Sequence, residues 1–315
     1  MVRMRAIRIS AENTLEPVDL PEPVPAPGEV LVDVIAAGVN RADLAQTAGH
    51  YPPPPGASEL PGLEVAGRRR DTGEEVVALL AGGGYAQTVA VPEGQLLPLP
   101  PGMRAADAAA VVEVCATVVS NLDLEAQLRP GETVLIHGGT GGIGTAALQI
   151  ARELGARVLT TAGSDEALPS LRELGADLAW NRRTVDLPSE VAQAGGADVI
   201  LDVIGGSALA DNVDMLREHG RLVIIGTLGG ATGELPIGRL MGKRSRVIGT
   251  TLRSRPVAQK QEILARTAEL VWPMLADGRV RIPVHARFPF ERAAEAHRVL
   301  HEGGHLGKVV LDVSA

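Results

Sequence analysis

Cysteine and aromatic residues are scarce in this sequence, and their scarcity excludes several classes of function. The 315 residues include a single cysteine, Cys115, which can neither close an internal disulfide nor build a structural zinc site. Aromatic residues make up 2% of the chain, and the formal net charge is -8. Because proteins that bind single-stranded nucleic acid need aromatic stacking platforms in basic grooves, we expect no nucleic acid among the partners.

Long apolar runs and a charged-then-apolar signal segment are also lacking. We therefore expect no membrane association and a cytoplasmic location. What the sequence does contain is 45% hydrophobic and 22% charged residues, which is the composition of an ordinary globular protein. The length suits one large domain or two medium ones.

The hydrophobic pattern changes along the chain. The first part is predicted to be rich in strands, at 4–9, 29–36, 75–80 and 85–91, with a proline loop at 51–56 and a helix over 105–124. From Thr133 onward, helices alternate with strands at 134–137, 157–161, 198–203, 220–225 and 246–251. This alternation predicts βαβ units with a parallel sheet, and hence an α/β fold. The end of the chain, with a strand predicted at 308–313, returns to the texture of the first part.

A glycine motif, Gly139-x-Gly141-x-x-Gly144, lies directly between a predicted strand and a predicted helix. In this context Gly139 allows a tight turn, Gly141 lets the backbone approach a pyrophosphate, and Gly144 lets the helix pack on the strand. The free N–H groups of the helix N-terminus then face the phosphates. A glycine turn without a ligand is the alternative, which the flanking elements disfavour. The sequence therefore predicts a dinucleotide site at 139–144, with Thr140, Gly142 and Ile143 completing the turn.

The coenzyme is expected to be NADPH, with NADH binding more weakly. Versions of this motif that bind NAD carry an acid at the end of the second strand, where this chain has the small residues Ala162, Gly163 and Ser164. Asp165 follows slightly late, and we interpret it as a helix cap. Arg182 could bind a 2′-phosphate; alternatively Arg182 and its neighbour are solvated loop arginines.

Four further segments carry a resemblance to a known family: AGVNRAD at 37–43, YPPPPGAS at 51–58, LDVIGG at 201–206 and GTTLRSR at 249–255. With the glycine motif, they resemble the zinc-independent quinone oxidoreductase branch of the medium-chain dehydrogenase/reductase superfamily, in particular its p53-inducible subgroup. The resemblance implies a GroES-like, β-rich substrate domain formed by 1–118 and 254–315. A Rossmann domain is implied over 119–253, and a homodimer that pairs through the strand 246–251.

The resemblance also implies that no zinc is bound. Zinc-dependent relatives carry Cys where this chain has Asn40 and His where it has Leu63, and Glu64 with Cys115 cannot supply the three protein ligands that catalytic zinc needs. Without this Lewis acid, hydride transfer requires an electron-poor acceptor. The expected substrate is therefore a quinone; the alternatives are an activated enone or, less favoured, a non-catalytic role in cofactor binding.

Two residues are implied as catalytic, since the resemblance places Asn40 and Tyr51 beside the nicotinamide, where each can donate a hydrogen bond. Alternatively, Tyr51 only packs on the proline run and Asn40 closes a turn. Glu64 is interpreted as a buried carboxylate bonded to the backbone, and His297, His301 and His305 as histidines of an exposed helix face. The family's usual lysine is missing at Ala167, and the stretch 67–77 is shorter than in relatives. Beyond the glycine turn, the implied cofactor contacts are Thr117, Gly163, Ser164, Arg182, Gly226, Leu252 and Lys308.

Overall fold

A computed structural model of the protein describes residues 2–313 and divides the chain into two compact units. The first unit contains the residues up to Ala116, Leu252–Gly278 and those from Ile282 onward. The second unit contains Thr117–Thr251 and Arg279–Arg281. The returning texture at the end of the sequence thus reflects a unit that both ends of the chain build.

The first unit is rich in sheet. Its strands are β1 Arg3–Ile9, β2 Leu15–Pro21, β3 Glu29–Val39, β4 Glu64–Arg69, β5 Glu75–Leu79, β6 Thr88–Pro92, β7 Leu96–Pro98, β14 Val284–Pro289 and β15 Lys308–Asp312. The largest sheet has the order β14-β15-β3-β4-β5-β7, with β6 paired to β3, and β1 and β2 form a separate antiparallel ribbon. Apolar residues of β3, β4, β6 and β15 fill the core, with Tyr85 and Phe290 fully buried among them.

Helices accompany these strands, and one sequence expectation about them is wrong. The helices are α1 Arg41–Thr47, α2 Ala105–Ala108, α9 Val257–Ala276 and α10 Ala293–Glu302, and a further helix, α3 Val112–Val118, begins in this unit and ends in the second. The helix predicted over 105–124 is broken into α2, α3 and a π-helical segment, Val119–Glu125. The stretch is alanine- and valine-rich, so its pattern predicted a helix without indicating the breaks.

The second unit is built on a parallel six-stranded sheet. Its strands are β8 Thr133–Ile136, β9 Arg157–Ala162, β10 Leu178–Asn181, β11 Ala197–Asp202, β12 Leu216–Ile224 and β13 Arg246–Gly249. Their order is β10-β9-β8-β11-β12-β13. Numbered from its first strand this is 3-2-1-4-5-6, the order of doubly wound dinucleotide-binding folds. The helices are α4 Gly142–Glu153, α5 Leu168–Glu173, α6 Leu187–Gln193, α7 Leu209–Met215 and α8 Ile237–Gly242.

The predicted fold class, α/β with a β-rich unit and a parallel-sheet unit, is confirmed. β8 is buried along its whole length, as a central parallel strand must be. Within residues 2–313 no helix is both long enough and apolar enough to traverse a bilayer.

Candidate functional site

The glycine turn joins β8 to α4 at the carboxyl end of the parallel sheet. Two of its glycines are required by the protein's own packing. A Cβ on Gly139 would lie 2.3 Å from Thr160 Oγ1, and a Cβ on Gly144 would lie 2.2 Å from the carbonyl oxygen of Gly138. Gly138 itself has φ +73°, in the left-handed region. The contact of Gly144 agrees with its expected packing role, whereas Gly139 is constrained by packing on Thr160 and the left-handed φ of the turn lies at Gly138.

Gly141 is different, because the protein has room for a side chain there. It is the N-cap of α4 with φ -70°, and an added Cβ would meet only the carbonyl oxygen of Gly138, at 3.5 Å. Thr140, Gly142 and Ile143 around it are partly exposed. Open space in front of the N-terminus of a helix as long as α4 is what a phosphate group requires. The turn therefore fits a pyrophosphate that approaches at Gly141.

The sheet order places this turn where such folds bind ligands, since the order reverses at β8 and β11. At the end of β11, Asp202 accepts the N–H groups of Ile204 (2.7 Å) and Gly205 (3.0 Å), which fixes the adjacent loop. Gly226 follows β12, and a Cβ on it would lie 2.8 Å from the carbonyl oxygen of Val203. The two loops thus approach each other closely beside the glycine turn's edge of the sheet.

Two arginines converge on the end of β9, the second strand of the parallel sheet. A Cβ on Gly163 would lie 3.2 Å from Arg182 Nη1 and 3.8 Å from Arg183 Nη2, and the Arg182 N–H donates to the carbonyl of Ala162 (3.0 Å). The structure therefore brings Arg182 to the neutral strand end that the sequence singled out.

The residues that follow Gly163 differ from expectation at Asp165. The interpretation of Asp165 as a helix cap is wrong, because α5 begins at Leu168 and its N-cap, Ala167, carries no side-chain cap. Instead, Glu166 has its pKa lowered by its own backbone N–H and by the hydroxyl of Ser164. The hydroxyl of Ser164 thus already has a partner in the carboxylate of Glu166.

In the first unit, Asn40, Glu64 and Lys308 form a buried group of side chains. The Lys308 ammonium, in a side chain 3% exposed, lies 2.7 Å from Glu64 Oε1 and 2.9 Å from the carbonyl of Val39, and also donates to Asn40 Oδ1. Asn40 Nδ2 donates to Glu64 Oε1 (3.0 Å), and the N–H of Glu113 donates to Glu64 Oε2 (2.9 Å). Glu64 is therefore bonded to the backbone, as interpreted from the sequence, and it is also neutralised by a lysine.

This group changes how two predicted site residues can act. All three protons of the Lys308 ammonium are used by Val39, Asn40 and Glu64, so its expected contact with a cofactor stays a prediction. The Asn40 amide is 7% exposed and held at both ends, with Oδ1 accepting from Lys308 and Nδ2 donating to Glu64. Asn40 is consequently fixed in one orientation.

A second buried chain of hydrogen bonds centres on Asp43, Tyr85 and His297. Asp43 accepts the N–H groups of Asn40 (2.8 Å) and Gly62 (3.0 Å) and the Tyr85 hydroxyl (3.3 Å), and that hydroxyl lies 3.0 Å from His297 Nε2. Burial raises the pKa of Asp43 to about 6 and lowers the pKa of His297 to about 4. His297 is thus a neutral core residue.

The histidines on and after α10 therefore differ from expectation. His301 is exposed, but His297 and His305 are buried, so the interpretation of all three as exposed is wrong. The rings of His305 and His285 pack edge to face, 6.2 Å apart. In the described part of the chain, no three His, Cys, Asp or Glu side chains are grouped so that they could hold a metal ion.

Tyr51 is partly exposed and is held by a residue that the sequence analysis did not single out. Arg253 Nη1 donates to the carbonyl of Tyr51 (3.0 Å), and its guanidinium carbon lies 5.1 Å from the centre of the Tyr51 ring. Its only sequence signal was its place in the GTTLRSR segment. Of the two other implied contacts, Thr117 is buried in α3 and Leu252 is partly buried, and their contact with a cofactor stays a prediction.

Comparison with known proteins finds two family profiles. A profile described as alcohol dehydrogenase GroES-like domain matches residues 26–101, and one described as zinc-binding dehydrogenase matches residues 142–269. The quinone oxidoreductase of Mus musculus is 31% identical, over 98% of this chain and 97% of its own length.

Two solved structures are similar to this chain over nearly its whole length. The quinone oxidoreductase of Thermus thermophilus, which was also solved in complex with NADPH, superposes with a TM-score of 0.83 at 36% identity, over 99% of this chain and 100% of the other. A structure described as an NAD-dependent alcohol dehydrogenase superposes with a TM-score of 0.85 at 29% identity, over 99% and 100% of the two chains.

Proposed function

Because the chain belongs to the quinone oxidoreductases of the medium-chain dehydrogenase/reductase superfamily, an NAD(P)H-dependent oxidoreductase family, we propose that it transfers hydride from NADPH to a quinone without a catalytic zinc. The observation that carries this proposal is the glycine turn, in which Gly141 leaves space at the N-terminus of α4 that the protein itself could have filled. NADPH bound there would supply the hydride, which carries both electrons of the reduction.

The preference for NADPH over NADH is supported by Arg182. Its guanidinium lies over Gly163, at a strand end without the acid that would repel a 2′-phosphate. One charge-assisted hydrogen bond contributes roughly 1.5–3 kcal/mol, which corresponds to about one to two decades in affinity.

Arg182→Ala should therefore weaken NADPH binding about 10- to 100-fold and leave NADH binding almost unchanged. Fluorescence titration of both coenzymes measures this, with Arg172→Ala on α5 as the control. Ala162→Asp should reverse the preference. A loss of both coenzymes to the same degree in Arg182→Ala, or a wild-type preference for NADH, would contradict this assignment.

Zinc independence is supported by the Lys308 ammonium. It bonds Glu64 and Asn40, so the charge of the one carboxylate in this group is already neutralised by a cation of the chain. The zinc-binding description of the second profile attaches to residues 142–269, which contain neither of these side chains nor Leu63. Elemental analysis should find zinc well below one per chain, and chelators should leave turnover unchanged. One zinc per chain together with chelator-sensitive turnover would refute this part of the proposal.

For the reaction itself, we assign Tyr51 as the hydrogen-bond donor to the acceptor. When a hydride and its electron pair reach the quinone, negative charge develops on a quinone oxygen, and a proton from solvent completes the hydroquinone. A tyrosine hydroxyl can stabilise that oxygen without acting as a nucleophile. Asn40, held by Lys308 and Glu64, has one amide N–H that Glu64 does not use, and we assign it a supporting contact.

The substrate class is tested by measuring NADPH consumption with a panel of quinones and a panel of activated enones. The proposal expects turnover with quinones that exceeds turnover with enones. Reduction of enones alone would favour the alternative of a C=C reductase. Binding of NADPH without turnover of either class would favour a non-catalytic role.

We further propose a homodimer that pairs through β13, which is an edge strand of the parallel sheet. Exposed edges of this kind need cover, and the segment before β13 exposes large apolar side chains, including Ile237 (61%) and Met241 (70%). Light scattering at micromolar concentration should give twice the chain mass. A monomer that retains full turnover would contradict the dimer without affecting the proposed reaction.

A further inference from the structure

We propose that Arg253 positions Tyr51, and that it does so by holding both ends of the proline loop that carries this tyrosine. Only the expected effect of Arg253 on turnover rests on the proposed function. The contacts by which Arg253 holds the loop are observed within the first unit and do not depend on that function.

Arg253 contacts three separate segments of that unit. Its Nη1 donates to the carbonyl of Tyr51 (3.0 Å), its Nη2 to Gln46 Oε1 (2.6 Å) and its Nε to the carbonyl of Ala81 (2.8 Å). Its guanidinium also lies against the Tyr51 ring, at a distance typical of a cation–π contact. A planar guanidinium holds its N–H donors in one rigid fork spread over three nitrogens, whereas the donors of a lysine ammonium rotate about a single nitrogen.

These contacts reach the far end of the loop as well as its beginning. Gln46, which accepts from Arg253, donates through Nε2 to the carbonyl of Glu59 (2.8 Å). Ala81 leads into Gly82, where a Cβ would lie 2.4 Å from the carbonyl oxygen of Ser58, so this turn packs directly on the loop's end. The prolines between the two ends have fixed φ angles. Fixing the ends therefore sets the position of Tyr51.

The cost of this arrangement indicates that it serves a purpose. Arg253 is 5% exposed, and its three hydrogen-bond acceptors are neutral oxygens. Burial lowers its pKa, with the nearby Tyr51 and Asp43 acting in the opposite direction. A buried charge whose hydrogen-bond acceptors are neutral destabilises a fold, and an apolar residue could fill the same volume at lower cost.

The position of Tyr51 can be measured without any turnover, because the chain has only two tyrosines, Tyr51 and Tyr85. Fluorotyrosine labelling gives two fluorine NMR resonances, which Tyr51→Phe assigns. In Arg253→Lys and Arg253→Met, the Tyr51 resonance should shift or split while that of the fully buried Tyr85 stays in place. Arg70→Lys is the control, since Arg70 contacts Glu22 and Asp33 instead. A Tyr51 resonance that is unchanged in the Lys variant, whose charge is preserved, would overturn the proposal.

Kinetics then test whether Arg253 acts through Tyr51. Arg253→Lys should lower kcat about 10-fold, the same loss that is expected for Tyr51→Phe, and leave the KM for NADPH unchanged. In the Tyr51→Phe background it should have no further effect. Losses that multiply in the double variant would show that Arg253 acts independently and would overturn the positioning role. If the wild-type protein turns over no quinone, the proposed function fails, while the fluorine resonances still decide whether Arg253 holds the loop.

Discussion

Gly141→Ala should weaken cofactor binding by at least about 10-fold and leave the second unit folded. The added Cβ meets one protein atom, the carbonyl oxygen of Gly138, at 3.5 Å, which is ordinary van der Waals contact. The backbone already has φ -70°, which alanine adopts without strain. Any effect of the methyl group on binding must therefore arise from the space outside the turn.

The expected loss can be worked from what occupies that space. A methyl group at the N-cap of α4 would push a phosphate away from the first N–H groups of the helix, each of which contributes roughly 1.5–3 kcal/mol to an anion. Loss of one such contact weakens binding about 10- to 100-fold, and loss of two abolishes it in practice. The substitution itself should change the free energy of unfolding by no more than about 1 kcal/mol.

Fluorescence titration with NADPH and thermal unfolding without it separate the two effects, and Gly144→Ala is the matched control. Its Cβ would lie 2.2 Å from the carbonyl oxygen of Gly138, so this variant should lose roughly 1–3 kcal/mol of stability. Unchanged NADPH affinity in Gly141→Ala would refute the reasoning, as would a loss of stability equal to that of Gly144→Ala.

Three other outcomes follow from the first unit. Tyr51→Phe should lower kcat about 10-fold at unchanged NADPH affinity, and a variant equal to wild type with every acceptor would reduce Tyr51 to packing. Lys308→Met should lower the free energy of unfolding by about 3–5 kcal/mol, because it leaves the buried carboxylate of Glu64 without its cation. Chemical denaturation measures this loss, and adding Glu64→Gln should restore part of the stability. A loss under about 1 kcal/mol would contradict the pairing of Lys308 with Glu64. Between pH 4 and 6, the contribution of Asp43 to stability falls as the pH rises, because the pKa of Asp43 in the folded protein is raised to about 6. The contribution of His297 to stability rises over the same range, because the pKa of His297 in the folded protein is lowered to about 4. In the His297→Gln background, adding Asp43→Asn should therefore reduce stability more at pH 4 than at pH 6, with a difference on the order of 2 kcal/mol, and an effect of Asp43→Asn that is equal at both pH values would contradict the raised pKa of Asp43.

The parts that the sequence predicts well have local signals. Three glycines between a buried strand and a helix lie within a few residues of each other, and their steric roles follow from that order. The close contact of Gly144 agrees with its packing role, while the left-handed residue of the turn is Gly138 and not Gly139. The neutral end of β9 is equally local, although the approach of Arg182 to Gly163 depends on how β10 pairs with β9.

The hydrophobic pattern of the sequence did not predict β2, β4 or α1, which are short elements without a clear strand or helix period. β2 contains Pro17 and Pro21, and β4 ends in consecutive arginines, so neither has the alternation of a typical strand. α1 is too short for a clear helical period. Each is held by pairing or packing with segments distant in sequence.

Most of the candidate site in the first unit is formed by contacts between residues that are distant in sequence. Such contacts produce no pattern that could be recognised along the chain. Lys308 and Asn40 are 268 positions apart, and Arg253 and Gln46 are 207 positions apart. The burial of His297 depends on Tyr85, 212 positions away. The sequence could name Asn40, Tyr51 and Glu64 as candidates, but their partners became visible only in the folded chain.

The most direct test of the central claim is the stoichiometry of anaerobic turnover with NADPH and a quinone, measured on enzyme treated with a chelator. The loss of reduced-nicotinamide absorbance is compared with the hydroquinone formed. We expect one NADPH oxidised for each hydroquinone, at a rate that chelation does not change. Absence of quinone-dependent NADPH oxidation, or its loss on removal of zinc, would contradict the account.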